Sequence, residues 1–107
     1  MIVIASKYLV PKGFSAWALY PFVFSRRPPD QVLLQHERIH LRQQLEMLVF
    51  PFFIWYVAEF LVRWIQYANH YRAYKNISFE REAYAHDLQT DYLVHRPFWS
   101  FLKYLNE

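Results

Sequence analysis

The chain reads as an α+β domain, mostly α: a short β-branched run opens it, long helical stretches come after, and a single glycine argues against a turn-rich all-β fold. Its 107 residues form one domain, 1–107, with room for one modest core. Hydrophobic residues at 55% and aromatics at 21% are high for that size and exclude a disordered chain.

The β element comes first. Ile2–Ala5 is predicted as a strand, and Pro11, Lys12 and Gly13 then turn the chain. Residues 17–24 are a second extended candidate, rich in aromatics, with Pro21 confining it to a sheet edge or breaking it. An edge strand at this place can pair with a substrate backbone, although the same aromatics also serve simply to cover a core. Arg26, Arg27, Pro28 and Pro29 break the chain, and Asp30 is a good N-cap for a helix over residues 31–49. Its apolar positions, among them Leu33, Ile39, Leu41 and Leu45, form no single stripe, which suits a helix in the middle of a small domain.

Pro51 interrupts or kinks the chain, and residues 52–71 are predicted as a second long helix, full of Trp, Tyr and Phe, backing the first. A polar connection over residues 69–76 leads to a third helical region, capped by Ser78 or Asn76 and running through Ala83, Leu88 and Leu93 to about residue 95. Glu80 and Glu82 fall in its first turn, where negative charge is favourable whatever else they do. Pro97 ends it, and residues 98–105 form a last short helix.

A net charge of +3 and a pI near 9.3 are spread along the sequence, so no nucleic-acid partner is expected. The absence of cysteine suits a reducing compartment, and the opening residues lack a positive n-region and a cleavage site, which together give a cytoplasmic expectation. The longest apolar run, residues 47–58, is shorter than the roughly 20 residues of a spanning helix. Extending it to residue 65 brings in Glu59 and Arg63 at pairing distance, so a buried amphipathic helix is predicted. Trp55, Tyr56 and Trp64 also favour headgroup regions and leave a peripheral membrane contact as a secondary expectation.

The chemistry concentrates in His36-Glu37-Arg38-Ile39-His40, an H-E-x-x-H pattern inside the first helix. Residues four apart sit one above the other, so His36 and His40 can share one metal ion, while Glu37, about 100° round the helix, reaches a water on that metal without being a ligand. Two neutral imidazoles suit Zn²⁺ and leave it positive enough to bring the pKa of a bound water to about 7, and Glu37 would then act as general base. A catalytic site of this kind wants a third protein ligand, which without cysteine must be His, Asp or Glu. Gln44, one turn beyond His40, is a candidate to orient a ligand from behind, or a solvated side chain. His70, Tyr71, Tyr74, Tyr84 and His86 are candidate donors to an oxyanion. So small a chain is expected to offer only a shallow groove.

The stretch Phe79-Glu80-Arg81-Glu82-Ala83-Tyr84 resembles the second metal-binding helix of the gluzincin class of zinc metallopeptidases, in which a ligand Glu is followed three residues later by a small residue. Both Glu80 with Ala83 and Glu82 with Ala85 fit that spacing. The two acids lie about 200° apart on a helix, and Glu80 borders the stripe of Ile77, Tyr84 and Leu88, so the third-ligand role goes to Glu80. Over residues 17–105 the pattern is similar to a very small gluzincin-type family of bacterial proteins, with the two signatures 36–44 and 74–84 in the expected order. The resemblance implies a zincin-like domain and a zinc peptidase acting on a peptide or protein substrate, with His36, His40 and Glu80 as ligands and Glu37 as base. Several gluzincins place an Asp four residues after the ligand Glu to steady a ligand His. Here that position is Tyr84, and Asp87 is the candidate replacement. The competing expectation is a non-enzymatic helical module in which zinc only holds helices together and an aromatic face binds a partner protein or a membrane.

Overall fold

The computed structural model describes residues 1–105. Three strands, β1 (Ile2–Ala5), β2 (Ala16–Leu19) and β3 (Phe22–Ser25), precede five helices: α1 (Gln31–Met47), α2 (Phe50–Tyr67), α3 (His70–Lys75), α4 (Ser78–His86) and α5 (Tyr92–His95). A 3₁₀ helix, Ser100–Tyr104, closes the described chain. The fold is α+β and mostly α, as the sequence predicts.

The extended candidate over 17–24 is two strands rather than one. Tyr20 and Pro21 turn the chain, because proline cannot donate to a ladder, and β2 returns antiparallel as β3 while β1 runs parallel to β3 on its other side. The sheet order is β1-β3-β2, which leaves β2 as an edge. Val23 and Ala18 are buried against Leu41 of α1, so the hairpin is pinned to the helix that carries the histidines.

Asp30 caps α1 as expected, accepting the Leu33 N–H at 2.8 Å. The helix stops at Met47, two residues short of the prediction, where Leu48 and Val49 take positive φ angles of 59° and 30°. There the chain bends by 112°. Pro51 is not the break; it sits in the first turn of α2, where a missing N–H costs nothing. The second helix in turn ends at Tyr67, and the predicted polar connection contains the separate helix α3, whose N-cap Asn69 accepts the Arg72 N–H.

Two further expectations are corrected. The third helical region does not reach residue 95 but stops at His86, with α5 as one detached turn. Neither Ser78 nor Asn76 caps α4 with its own side chain. Glu59 of α2 does so from outside, accepting the Ser78 N–H at 2.5 Å and the Ser78 hydroxyl at 2.6 Å. The same Glu59 pairs with Arg63 at 3.5 Å. That lock fixes α4 against α2, and Phe52, Ile77, Phe79 and Phe101 fill the space between them. A fully buried side chain of that size contributes about 1.5–3 kcal/mol, so this aromatic cluster sets where α4 lies.

Nor is α2 the buried helix predicted. Only Phe52 and Glu59 are buried along it, and Phe50, Ile54, Leu61, Val62 and Ile65 are exposed. No single helix among the described residues is long and apolar enough to cross a membrane.

Candidate metal centre

The site is assembled from two helices, α1 and α4, joined where Gln43 donates to the Phe79 carbonyl and to Glu82. On α1 the i,i+4 spacing stacks His36 over His40, with their Nε2 atoms 3.2 Å apart. From α4, Glu80 brings Oε1 to within 3.0 Å of His36 Nε2 and 3.1 Å of His40 Nε2. All three residues are buried. Ligands around a tetrahedral zinc stand about 3.3 Å from one another, so these three atoms are spaced as such an ion requires. Glu37 also has an oxygen within 4.8 Å of the histidine nitrogens, and Glu80 Oε1 lies 3.0 and 3.1 Å from them. The structure thus brings together all four residues singled out in the sequence.

The second oxygen of Glu80 is taken. Tyr56 of α2 donates to Oε2 at 2.6 Å, which leaves Oε1 alone facing the imidazoles. Burial works against the Glu80 carboxylate, yet the charge and hydrogen bonds of His40 and His36 hold its pKa well below the usual carboxylate range. Burial opposes charge on His40 too. Glu80 outweighs it, through charge and hydrogen bond, and pushes the imidazole up to about 9. In the metal-free protein a proton on His40 therefore balances the buried carboxylate.

Glu37 is buried as well, and its Oε1 has no hydrogen-bond partner among the described residues. Desolvation raises its pKa from the ordinary value, opposed by the nearby His40 and His36. A desolvated carboxylate with one oxygen uncommitted beside two imidazoles and a carboxylate is poised to take a proton. The donor set and this orphaned oxygen fit a zinc ion with a base at its side.

Each histidine is steadied on its far nitrogen. Asp87, the candidate replacement, approaches His36 Nδ1 at 3.3 Å. His40 Nδ1 lies 2.8 Å from Gln43 Oε1, an acceptor that holds a proton on Nδ1, so that the neutral imidazole would turn its Nε2 lone pair to the site. Gln44, for which the sequence offered this role or a solvated position, takes neither and is buried. Gln44 is turned to the sheet, donating to the Ala18 carbonyl at 2.8 Å and accepting the Tyr20 N–H at 2.7 Å. Gln43 stands three residues from His40, itself a same-face spacing, so helical geometry was the signal for it.

Gln43 leads further in. Its amide nitrogen donates to the Phe79 carbonyl at 3.1 Å and to Glu82 Oε1 at 2.9 Å. Glu82, on the side of its helix away from the stripe that Glu80 borders, is fully buried and pairs with Arg96, which also bonds Glu46. Tyr92 adds a hydrogen bond to Glu82 at 2.6 Å. Glu82 is a structural carboxylate, and neither it nor Arg96 reaches the histidines.

The centre opens on a cleft of about 1020 Å³, larger than the shallow groove expected, whose lining includes His36, Glu37, Tyr56, Tyr74 and Tyr84. Of the candidate oxyanion donors, His70, Tyr71, Tyr74 and Tyr84 line it, with the Tyr74 and Tyr84 hydroxyls 2.9 Å apart. His86 does not, being stacked on Tyr92 and bonded to Tyr104 at 2.7 Å. Tyr56 was missed because its helix was expected to back α1, not to reach into the site. No protein family, no curated protein and no solved structure matches this chain, so its function rests on the geometry of this centre.

Proposed function

We propose that the protein is a minimal zinc-dependent peptidase of gluzincin type, with His36, His40 and Glu80 as the ligands and Glu37 as general base. The observation that carries the reading is the convergence of Glu80 Oε1 and the two Nε2 atoms within 3.0–3.2 Å, beside a buried Glu37 oxygen without a partner. His36, His40 and Glu80 would hold the Zn²⁺, which when bound would supply a Lewis acid for a peptide carbonyl and a water acidic near neutral pH. Glu37 accepts the proton of the attacking water at its uncommitted oxygen and returns it to the leaving amine. Asp87 and Gln43 fix the tautomers of His36 and His40, and the Tyr74 and Tyr84 hydroxyls offer hydrogen bonds to a carbonyl oxygen that gains charge.

The decisive variant is Glu37→Gln, nearly isosteric and unable to take a proton. Zinc content should stay at one per chain while hydrolysis of a peptide library falls by about 10²- to 10⁴-fold. A wild type that holds zinc and cleaves nothing, or a Glu37→Gln protein as fast as wild type, leaves the metal structural.

A second reading draws on the exposed apolar side of α2, where Phe50, Ile54 and Ile65 face outward. In it the zinc only ties α1 to α4, and the aromatic helix docks on a partner protein or the surface of a membrane. Vesicle binding that survives Glu37→Gln and is lost on Ile54→Asp plus Ile65→Asp, together with absence of hydrolysis, would favour it.

A further inference from the structure

We infer that the outer face of α2 seats the protein on an anionic lipid bilayer, the helix lying along the surface and the mouth of the metal cleft opening at its edge. The inference names the occupant of this face and stands with either reading of the zinc. A surface helix of a water-soluble domain turns its charges to water and its apolar stripe to the core. Helix α2 is built the other way round. Its two charged residues point inward, Glu59 accepting from Ser78 and Arg63 donating to the Leu105 carbonyl at 2.6 Å. Outward stand Phe50, Ile54, Val57, Leu61, Val62 and Ile65, the last 85% exposed. With 3.6 residues per turn, the exposed positions from Trp64 round to Val62 cover an arc of about 160°, far broader than the seam of a coiled coil.

The chemistry of the face selects a bilayer over a protein. A protein interface carries about one hydrogen bond per 100–200 Å², but the polar side chains exposed on α2 are only the Trp64 indole and Gln66, whose oxygen accepts from Arg63. A bilayer asks for no such bonds, since the helix closes its own backbone groups. The charge is complementary as well. From Met47 to Phe79 the one acid is the buried Glu59, whereas Arg72 is exposed and Lys75 half-buried. Arg72 lies 4.8 Å over the Tyr67 ring and Lys75 5.8 Å over that of Tyr71, which sets tyrosines and cations together at one end of the face, the composition that a headgroup layer favours. Val57 and Trp64 belong both to this face and to the lining of the metal cleft, so the cleft opens where the face meets the lipid.

The test is co-sedimentation of the full chain, with zinc added, on vesicles of phosphatidylcholine with phosphatidylglycerol and on vesicles of phosphatidylcholine alone, beside its sedimentation equilibrium without lipid. The protein should be a monomer that binds the anionic vesicles about 5-fold or more tighter than the neutral ones. Ile65→Asp should weaken binding about 10-fold or more, and Arg72→Gln about 5-fold on the anionic vesicles alone. Leu88→Asp, at a side chain 77% exposed but off this face, should bind as wild type does, with circular dichroism checking the fold of each variant. No binding to either vesicle, equal binding to both, or an Ile65→Asp protein that binds like wild type overturns the inference. So does a lipid-free dimer that Ile65→Asp splits and that binds no vesicle, which assigns the face to a second copy. Glu37→Gln should dock as wild type does, so a failure of hydrolysis and a failure of docking are read separately.

Discussion

Glu80 and Glu82 stand two residues apart on α4 and both are buried, yet Glu80 meets two imidazoles and a tyrosine while Glu82 meets the guanidinium of Arg96. Arg96 carries a permanent charge, so Glu82 keeps a fixed cation at every ordinary pH, although it shares that guanidinium with Glu46. The Glu80 cluster has only titratable partners, so its balance depends on a proton or a metal ion. A buried carboxylate with a fixed cation is architecture. Glu80 has none and is the carboxylate proposed to hold the metal, and this contrast separates the two acids more sharply than their burial does.

The contrast breaks most visibly if Glu80→Ala keeps its zinc. The expected outcome is no measurable zinc by elemental analysis at micromolar protein, with the Glu82 cluster and the helical circular dichroism intact. On the other side, Arg96→Met strands Glu82 and Glu46 as buried charges and should lower stability by about 3–5 kcal/mol in urea unfolding, enough to threaten folding of a small domain. If Arg96→Met proves neutral, the cluster is not a structural anchor.

Acid and alkaline limbs of stability sharpen the same comparison. His40, raised to about 9 in the metal-free protein, contributes stability that is fully present below its unfolded pKa of about 6.5 and is lost as pH rises through 9. The alkaline limb should amount to about 3 kcal/mol for this buried group, vanish in Glu80→Ala, and be masked by saturating zinc. Glu82 runs the other way. Desolvation opposes its charge, but the hydrogen bonds from Arg96, Tyr92 and Gln43 lower its pKa, so its contribution is present above about pH 4.3 and lost as pH falls. Glu82→Gln should remove part of the acid limb and leave the alkaline limb in place. Thermal unfolding of zinc-free protein from pH 3 to 10 reads both limbs.

The smallest of these effects tests the link between the clusters. Gln43 touches His40 with its oxygen and Glu82 with its nitrogen, so Gln43→Met should weaken zinc about 10- to 100-fold, or about 1.4–2.7 kcal/mol, without abolishing it. Competition with a chromogenic chelator measures this directly, and an unchanged affinity would show that His40 needs no support from behind.

Helical periodicity alone settled several of these features. The stacking of His36 over His40, the position of Glu37 beside them and the cap at Asp30 come from backbone geometry over a few residues, and sequence determines that directly. It also separated Glu80 from Glu82, because a helix throws residues two apart to different sides. What lay on each side was another matter. The sequence set Glu82 opposite the apolar stripe and gave it no partner there, because Arg96 comes 14 residues later, beyond the detached turn α5, and nothing local says that this arginine folds back inside. The choice of Gln43 over Gln44, the reach of Tyr56 into the site, the exposure of α2 and the outside cap that Glu59 gives α4 likewise depended on how helices dock. Local geometry fixes the direction of a side chain relative to its own helix. Only the packing of elements far apart in the chain decides what it meets there, and here that packing was decided by an aromatic core centred on Phe79 and Phe101 and by two buried carboxylates, Glu59 and Glu82, that tie the helices together.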